Sequence, residues 1–386
     1  MSRAAGQGVA WFAAALLAPV LLFAYRDLWA VVFLFGVAGI LAAGEKPRRL
    51  PLSAWSLCAI ALYLYAVFLS FFASYPVTGK LSDPAVLIAY GLIVGSFRPL
   101  SARYLGLGLF AAFVVLALDA GTGNLIRELT PPDHDPEKDA IATSRGIGLG
   151  LILLPPAALW FWRSRRWTAG RVLLILAGLA AAAATVDIYG AALLFGLGVA
   201  LLAGLRPSAA RRLVGAAAAM ALAAPFAAAA FVPPTERLLS VEGWPDSWLH
   251  RLIIWRNVLD AWLAGGALTG AGPGAARALG EQLGMVTLPS GEPVSLISVH
   301  PHNIPIEILF EFGLIGYALF VAAALFALAS FIRRPMDKAA AAAASAFASV
   351  FILLSVTEGT IWNPHFLTAG ALALYGLTAD GRGRTQ

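Results

Sequence analysis

Twelve apolar segments divide the chain, and they constrain its fold more than any other feature of the sequence. A helix needs about 20 predominantly apolar residues to cross the hydrocarbon core of a bilayer. Of the 386 residues, 60% are hydrophobic and only 12% are charged, which excludes a soluble globular domain. The segments are 8–25, 28–43, 53–74, 84–97, 104–119, 141–162, 171–186, 189–205, 213–232, 304–332, 339–356 and 361–378. This pattern predicts an all-α, polytopic integral membrane protein with about 12 transmembrane helices.

The distribution of charge predicts the orientation of these helices. If the N-terminus is cytoplasmic, 18 of the 27 Lys and Arg residues lie on the inner side, whereas 18 of the 21 Asp and Glu residues lie outside. Cytoplasmic loops of membrane proteins carry such an excess of basic residues, so both termini are expected in the cytoplasm. The basic residues form short clusters between apolar segments and no continuous stripe, which indicates no nucleic-acid partner. All five histidines then lie on the outer side of the membrane.

The loops predict three regions. Residues 1–232 hold the first nine transmembrane helices, 233–303 form one large outer loop, and 304–386 hold the last three helices and a cytoplasmic tail. Within the large loop, 245–263 is predicted to be an amphipathic helix whose tryptophans lie at the membrane interface. A second outer loop, 120–140, is polar and rich in turn-forming residues, and we expect it to be solvated.

His302 lies directly before the tenth apolar segment. Asn303 is a favourable N-cap and Pro305 is tolerated in a first turn, so a helix is predicted over 303–331. The positive end of that helix disfavours an imidazolium, so His302 is predicted to be a neutral base near pH 7. The free N–H groups at the same helix end favour a phosphate.

The order His302-Asn303, nine residues, then Gly313-x-x-Gly316 resembles the signature of the O-antigen ligase and polymerase superfamily. This resemblance implies a GT-C-like glycosyltransferase, multi-pass in the bacterial inner membrane, with a periplasmic active site. The implied donor is a glycan on undecaprenyl pyrophosphate, and the implied acceptor is a sugar of the lipid A core. Because the donor carries its own leaving group, neither a nucleotide nor another cofactor is expected, and no metal is expected either.

The resemblance also implies roles for individual residues. Arg251 is similar to an arginine that binds the lipid-linked pyrophosphate, a ligand that suits the planar, permanently charged guanidinium. The family's second arginine is expected where this chain has Tyr189, and Arg145 is an alternative source of that charge. The predicted catalytic base is His302, and the predicted substrate-binding residues are Arg251, Arg145, Arg256, His300, Asn303, Tyr189 and Glu307. Arg251 and Arg256 lie about 140° apart around a helix, so they are not expected to contact one ligand.

Several alternatives remain open on the sequence. His302 can be a structural capping residue, and Arg145 an interfacial anchor. His300 and His302 can form half of a zinc site that His250, Asp246 or Glu358 would complete. Glu307 and Glu311 lie one turn apart on one helix face, so we expect them to line a cavity or meet an arginine. The glycine-rich segment 270–274 is predicted to be a turn and not a phosphate-binding loop, because it lacks the Lys-Ser/Thr ending of a P-loop.

Other functions share much of this pattern. A polymerase that joins repeat units and a ligase that transfers glycan to protein differ from a lipid A ligase only in the acceptor. No feature of the sequence identifies that acceptor. A lipid or polysaccharide transporter is a more distant alternative. It would be expected to carry more charged residues within its spans than this chain does.

Overall fold

The computed structural model describes residues 3–23, 28, 31, 34, 54–71, 102–123, 136–183 and 187–379. Helices dominate these residues, and one small β-hairpin interrupts them. In chain order the elements are α1 (Arg3–Phe23), α2 (Ala54–Ser70), α3 (Ala102–Gly121), α4 (Pro136–Arg163), α5 (Trp167–Ala183), α6 (Asp187–Leu205), α7 (Pro207–Phe231), α8 (Thr235–Leu238), α9 (Asp246–Gly265), α10 (Ala275–Leu283), β1 (Met285–Thr287), β2 (Pro293–Ser295), α11 (Ile304–Arg333), α12 (Lys338–Thr357) and α13 (Pro364–Ala379).

Among the described residues, seven helices are long and apolar enough to cross a membrane, namely α1, α3, α4, α6, α7, α11 and α12. Helices α2, α5 and α13 contain shorter apolar stretches. Ten of the twelve predicted segments therefore coincide with helices. The segments 84–97 and 28–43, apart from residues 28, 31 and 34, lie outside the described residues. The all-α, polytopic class is confirmed, whereas the number of twelve spans stays a prediction.

The predicted outer loop 120–140 was drawn too long. Helix α3 continues to Gly121 and α4 begins at Pro136, so only the residues between them can connect the two helices, and 124–135 lie outside the described residues. Pro136 and the charged residues after it are among the polar, turn-forming residues from which the loop is predicted. Proline and acidic residues are also favourable in the first turn of a helix, where N–H groups lack partners and the helix dipole is positive.

Helix α4 is the most buried of the seven described spanning helices, since 83% of the residues in its apolar stretch are buried. Its small residues allow neighbouring helices to approach closely. A Cβ atom at Gly146 would overlap the backbone of Leu21 in α1, and one at Gly148 would overlap the ring of Tyr189 in α6. Close approach through glycine is a common means of packing membrane helices. Arg145 therefore extends from a rigid central helix.

Helix α11 cannot be straight. Its 30 residues would span about 45 Å, whereas the 20 residues of α12 span about 30 Å. Yet the ends of α11 and α12 lie close together on both sides. A connection of four residues joins the helices on one side, and Asn303 Nδ2 donates to Val356 O at 3.0 Å on the other. Gly313 breaks α11 with φ 62° and ψ −166°. Residues 314–333 thus match α12 in length, and 304–312 form a half-helix that runs across its end.

The region 233–303 folds into a small unit at this same end of the bundle. It contains α8, α9, α10 and the antiparallel hairpin of β1 and β2, in which Met285 pairs with Ser295. Its own apolar core includes Leu238, Leu249, Ile253 and Leu288. The helix predicted over 245–263 corresponds to α9, whereas the hairpin was not predicted.

Candidate active site

His302 occupies an unusual backbone conformation at the entrance to α11. Its φ is 54°, in the left-handed region that few residues other than glycine adopt. Asn303 follows in an extended conformation, and its Oδ1 accepts a hydrogen bond from the backbone N–H of Ile306 at 3.1 Å. The predicted N-cap is therefore present. The left-handed backbone of His302, directly before this N-cap, determines the direction in which its imidazole points.

Two side chains hold this segment in place. The indole N–H of Trp255 donates to the carbonyl of Pro301 at 2.8 Å, and Asn303 Nδ2 donates to the carbonyl of Val356 at 3.0 Å. A left-handed residue other than glycine costs on the order of 1–3 kcal/mol and persists only where the surroundings impose it. The bonds from Trp255 and Asn303 attach the segment to α9 on one side and to α12 on the other, and so stabilise the position of His302.

Glu358 lies beside His302, and sequence reasoning considered it only as a possible zinc ligand. Its Oε2 is 4.0 Å from Nδ1 of His302, which is buried and has no hydrogen-bond partner. The two side chains are 23% and 21% exposed, so the pair remains accessible from outside. Glu358 directly follows α12, at the end of that helix that adjoins the start of α11, and only this packing brings it to His302.

Arg251 binds Glu358 from the other side. Its Nη2 donates to Glu358 Oε1, its Nε donates to the carbonyl of Thr357 at 3.1 Å, and its Nη1 donates to the carbonyl of Ser247 at 2.8 Å. The guanidinium also lies 5.8 Å from the ring centre of Trp248. Only 8% of Arg251 is exposed. The carboxylate of Glu358 thus stands between the predicted phosphate-binding residue and the predicted base.

Burial is the main cause of the electrostatic state of this cluster. It lowers the pKa of His302 well below its usual value, and the positive or protonatable groups nearby lower it further: His300, Arg251, His250 and Arg145. Burial also raises the pKa of Glu358, against which Arg251 and Arg145 act. His302 is therefore neutral near pH 7, as predicted, although we had attributed this to the helix end.

The other two nearby histidines support His302. The rings of His300 and His302 lie 4.2 Å apart, and the backbone N–H of His302 donates to Nδ1 of His300 at 3.3 Å. Nε2 of His250 lies 2.9 Å from the carbonyl of Ser295, which ties the hairpin to α9. Burial lowers the pKa of His250 as well. Both residues thus help to fix the loop that carries His302.

Arg145 contributes positive charge to the cluster. It lies in α4, which packs against α12 and α13, and its charge acts on both His302 and Glu358. Residues that are far apart in the chain, on α4 and α9, before α11 and after α12, therefore converge on one region. This convergence agrees with Arg145 as the alternative second cation.

Tyr189 and Arg256 have other surroundings. Tyr189 is 3% exposed, and its ring packs against Gly148 of α4. Gly148 lies about one helical turn after Arg145. Arg256 forms an ion pair with Asp260 at 2.5 Å and donates to the carbonyl of Val232 at 3.1 Å. It faces away from Arg251, as expected from their spacing.

Glu307 and Glu311 receive hydrogen bonds from the loop between α12 and α13. Glu307 accepts from Thr360 Oγ1 at 2.6 Å and from the N–H of Ile361 at 2.8 Å, and Glu311 accepts from the indole of Trp362 at 2.6 Å. We had expected a cavity or an arginine, and the partners shown here are neutral donors. Both carboxylates hold the loop that begins with Glu358.

The first glycine of the motif, Gly313, forms the break in α11. At Gly313 the segment 266–272 approaches the helix backbone, and the N–H groups of Ala271 and Gly272 donate to the carbonyls of Phe310 and Glu311, both at 2.9 Å. In return, the N–H of Leu314 donates to the carbonyl of Ala267 at 3.0 Å. A side chain at Gly313 would overlap this segment. The nine residues between His302-Asn303 and Gly313 are thus the length of the half-helix.

The zinc alternative finds little support in the described part of the chain. No group of three or more His, Cys, Asp or Glu residues there is arranged to hold a metal ion. His300 and His302 lie together and Glu358 lies 4.0 Å from His302, but that carboxylate pairs with Arg251.

Fold and site together define an all-α, polytopic membrane protein with a buried His, Glu and Arg cluster at one end of its helices. Residues 188–321 match a family model described as O-antigen ligase, which confirms the resemblance stated from the sequence. The matched region contains α9, both glycines of the motif and His302, but not Arg145 or Glu358. Comparison with curated proteins gave no match, and comparison with solved structures gave none.

Proposed function

We propose that the protein is an O-antigen ligase of the bacterial inner membrane. It transfers a polysaccharide from undecaprenyl pyrophosphate to a sugar of the lipid A core, on the periplasmic face and with both termini in the cytoplasm. The match of residues 188–321 supports a function of the O-antigen ligase and polymerase type. The choice of the lipid A core as acceptor, the GT-C type and the periplasmic location belong to the proposal.

One observation carries the proposal: His302, Glu358 and Arg251 form a single cluster, partly open to the outside, at the start of α11. A glycosyl transfer from a pyrophosphate needs a base for the acceptor hydroxyl and positive charge for the leaving group. His302 is neutral and supplies the base. Arg251, together with Arg145, supplies the charge.

The chemistry is a single displacement. His302 removes the proton of the acceptor hydroxyl while its oxygen attacks the anomeric carbon, and the bond from that carbon to the pyrophosphate oxygen breaks. The configuration at the anomeric carbon inverts, the proton stays on the imidazole, and undecaprenyl pyrophosphate leaves. Arg251 and Arg145 stabilise the negative charge that develops on the leaving group. The residues of the cluster account for this step without a metal or a nucleotide.

Replacing His302 tests the base. In a ligase-deficient strain, His302→Ala should accumulate in the membrane like the wild type and leave lipid A core without long-chain glycan. The expected loss of transfer is about 10²- to 10⁴-fold, the usual contribution of a general base. Lipopolysaccharide banding on gels measures it, and normal banding would remove His302 from this role. Lipid-linked polymer that accumulates in the deletion strain indicates a ligase, whereas core capped with single repeats indicates a polymerase.

Replacing Arg251 tests the charge. Arg251→Lys keeps the charge but cannot make the three directed hydrogen bonds to Thr357, Ser247 and Glu358. We expect transfer to fall about 10- to 100-fold, because a hydrogen bond to a charged group contributes about 1.5–3 kcal/mol. Arg277→Lys, at an exposed position in α10, is the matched control and should transfer normally. Equal activity of the two variants would contradict the role of Arg251.

A further inference from the structure

Glu358 contacts both chemical elements of the proposed site. Its Oε1 accepts a hydrogen bond from Arg251, and its Oε2 is 4.0 Å from Nδ1 of His302. That distance is too long for a hydrogen bond, and Nδ1 is buried without any partner. A buried nitrogen that makes no hydrogen bond is costly. The nearest carboxylate is held away from it by Arg251.

Three of the five N–H groups of Arg251 donate hydrogen bonds in this state. Thr357 and Ser247 take Nε and Nη1, and Glu358 takes Nη2. The first two partners are backbone carbonyls, which position the guanidinium but do not neutralise it. Glu358 is the charged partner and therefore competes with any anion for Arg251. A pyrophosphate that binds Arg251, as the proposed function requires, competes with this carboxylate for the guanidinium, and it displaces the carboxylate where it takes over Nη2.

From this competition we propose that Glu358 is a donor-controlled positioning residue: a pyrophosphate on Arg251 releases its carboxylate, which then accepts a hydrogen bond from Nδ1–H of His302. The proposal rests on the proposed function and adds regulation to the same site. It makes the base competent only when the donor is bound. Small rotations of the Glu358 side chain suffice, because its Oε2 already lies 4.0 Å from the imidazole.

The exchange explains how His302 can accept a proton. In the unliganded protein, burial and the nearby His300, Arg251, His250 and Arg145 oppose an imidazolium by lowering the pKa of His302. With Nδ1–H bonded to the carboxylate, the lone pair of Nε2 faces the acceptor. The hydroxyl O–H bond breaks, its proton binds Nε2, and the imidazolium forms an ion pair with Glu358. The negative charge of the bound pyrophosphate also stabilises the imidazolium.

The test is Glu358→Gln in purified protein reconstituted into liposomes with lipid-linked donor and lipid A core. Gln keeps the shape and can still accept from Arg251, but it carries no charge. The proposal predicts that kcat falls by roughly 10²-fold or more, as when an orienting carboxylate is lost beside a catalytic histidine. The donor KM should stay equal or decrease, because the anion no longer displaces a carboxylate. Glu311→Gln, a buried carboxylate bonded to the same loop through Trp362, is the matched control and should keep its kcat.

A pH profile separates this role from a purely structural one. The acidic limb of kcat/KM reports the free protein and that of kcat reports the donor complex. In the wild type, the limb of kcat should lie at higher pH than the limb of kcat/KM. In Glu358→Gln the difference should shrink, since only the pyrophosphate then stabilises the imidazolium. Coincident limbs in the wild type, a measurement that needs no variant, would overturn the proposal.

The remaining outcomes are also decisive. A donor KM that rises in Glu358→Gln while kcat is unchanged would mean that Glu358 only orients Arg251. Titration with undecaprenyl pyrophosphate alone provides an independent measurement, and weaker binding to the variant would likewise overturn the proposal. If His302→Ala is inactive but Glu358→Gln is fully active, the exchange fails and the proposed function stands. If His302→Ala transfers glycan normally, His302 is not the base and the exchange fails with it. If the wild-type protein transfers no glycan to lipid A core, the proposed function itself fails.

Discussion

At the scale of residues, the candidate site is a carboxylate that lies between an imidazole and a guanidinium. His302 follows from the sequence because it precedes a recognisable helix start, and Arg251 follows from a resemblance. Glu358 does not, because nothing near it in the chain marks it as functional. It becomes significant only when α12 is packed against the half-helix of α11 and brings it beside Nδ1 of His302. Contacts of this kind depend on packing between distant segments.

The pKa of His302 leads to a testable pH dependence. Because burial lowers it below the usual value of 6.5, the free protein keeps a neutral base at pH 6.5. We expect kcat/KM to be constant from neutral pH down to 6.5 and to fall only at more acidic pH, where His302 becomes protonated. Initial rates of transfer in liposomes across this range measure it.

A control distinguishes His302 from the two neighbouring histidines. Burial lowers the pKa of His250 too, and His250 supports the hairpin through Ser295. His250→Gln keeps a group that can hydrogen bond to that carbonyl, and the acidic limb should stay below pH 6.5. An acidic limb of the wild-type kcat/KM centred above pH 6.5 would contradict a depressed pKa in the free protein.

At the scale of elements, the bend of α11 was the largest feature that the sequence did not predict. The start of the helix was predicted from Asn303 and Pro305 and is confirmed, with α11 ending at Arg333, near the expected end. The break at Gly313 was not predicted, because a glycine in an apolar helical stretch usually indicates close helix packing. The segment 266–272 supplies the hydrogen bonds that the broken turn lacks. No local pattern in α11 encodes that partner.

Replacing Gly313 should destabilise the protein. Gly313→Ala places a side chain at φ 62° and against the backbone of Leu268 and Gly270. We expect a loss on the order of 1–3 kcal/mol or more, the usual cost of such strain before the overlap is counted. The apparent Tm of the detergent-solubilised protein, followed by circular dichroism, should fall by several degrees.

Gly198→Ala is the matched control for this substitution. Gly198 lies in the interior of α6 with open space around the position of a new Cβ atom. Alanine is favoured over glycine in a helix by about 1 kcal/mol, so the variant should be as stable as the wild type or more so. Similar losses in both variants would mean that the break at Gly313 is not a constrained feature of α11.

At the scale of the whole molecule, hydropathy was sufficient to predict the class of fold. Continuous apolar segments leave helices as the main way to satisfy backbone groups inside a bilayer, so all-α, polytopic architecture follows from the pattern. The fold of the small unit in 233–303 was harder to predict, since β1 and β2 are only three residues each and lie among turn-forming residues. The convergence of Arg145 and Arg251 on His302 required the packing of α4 against the other helices, which hydropathy does not specify.

The positive-inside distribution of charge makes the orientation testable by cysteine labelling. Cys58 is the only cysteine, so Cys58→Ser gives a background without thiols. In it, Ser290→Cys lies in the exposed turn of the hairpin and Pro335→Cys in the exposed connection between α11 and α12. We expect a membrane-impermeant maleimide to label the first variant in intact spheroplasts and the second only after permeabilisation. The reverse pattern would put His302 on the cytoplasmic side, out of reach of a donor displayed in the periplasm, and would contradict the proposed ligase.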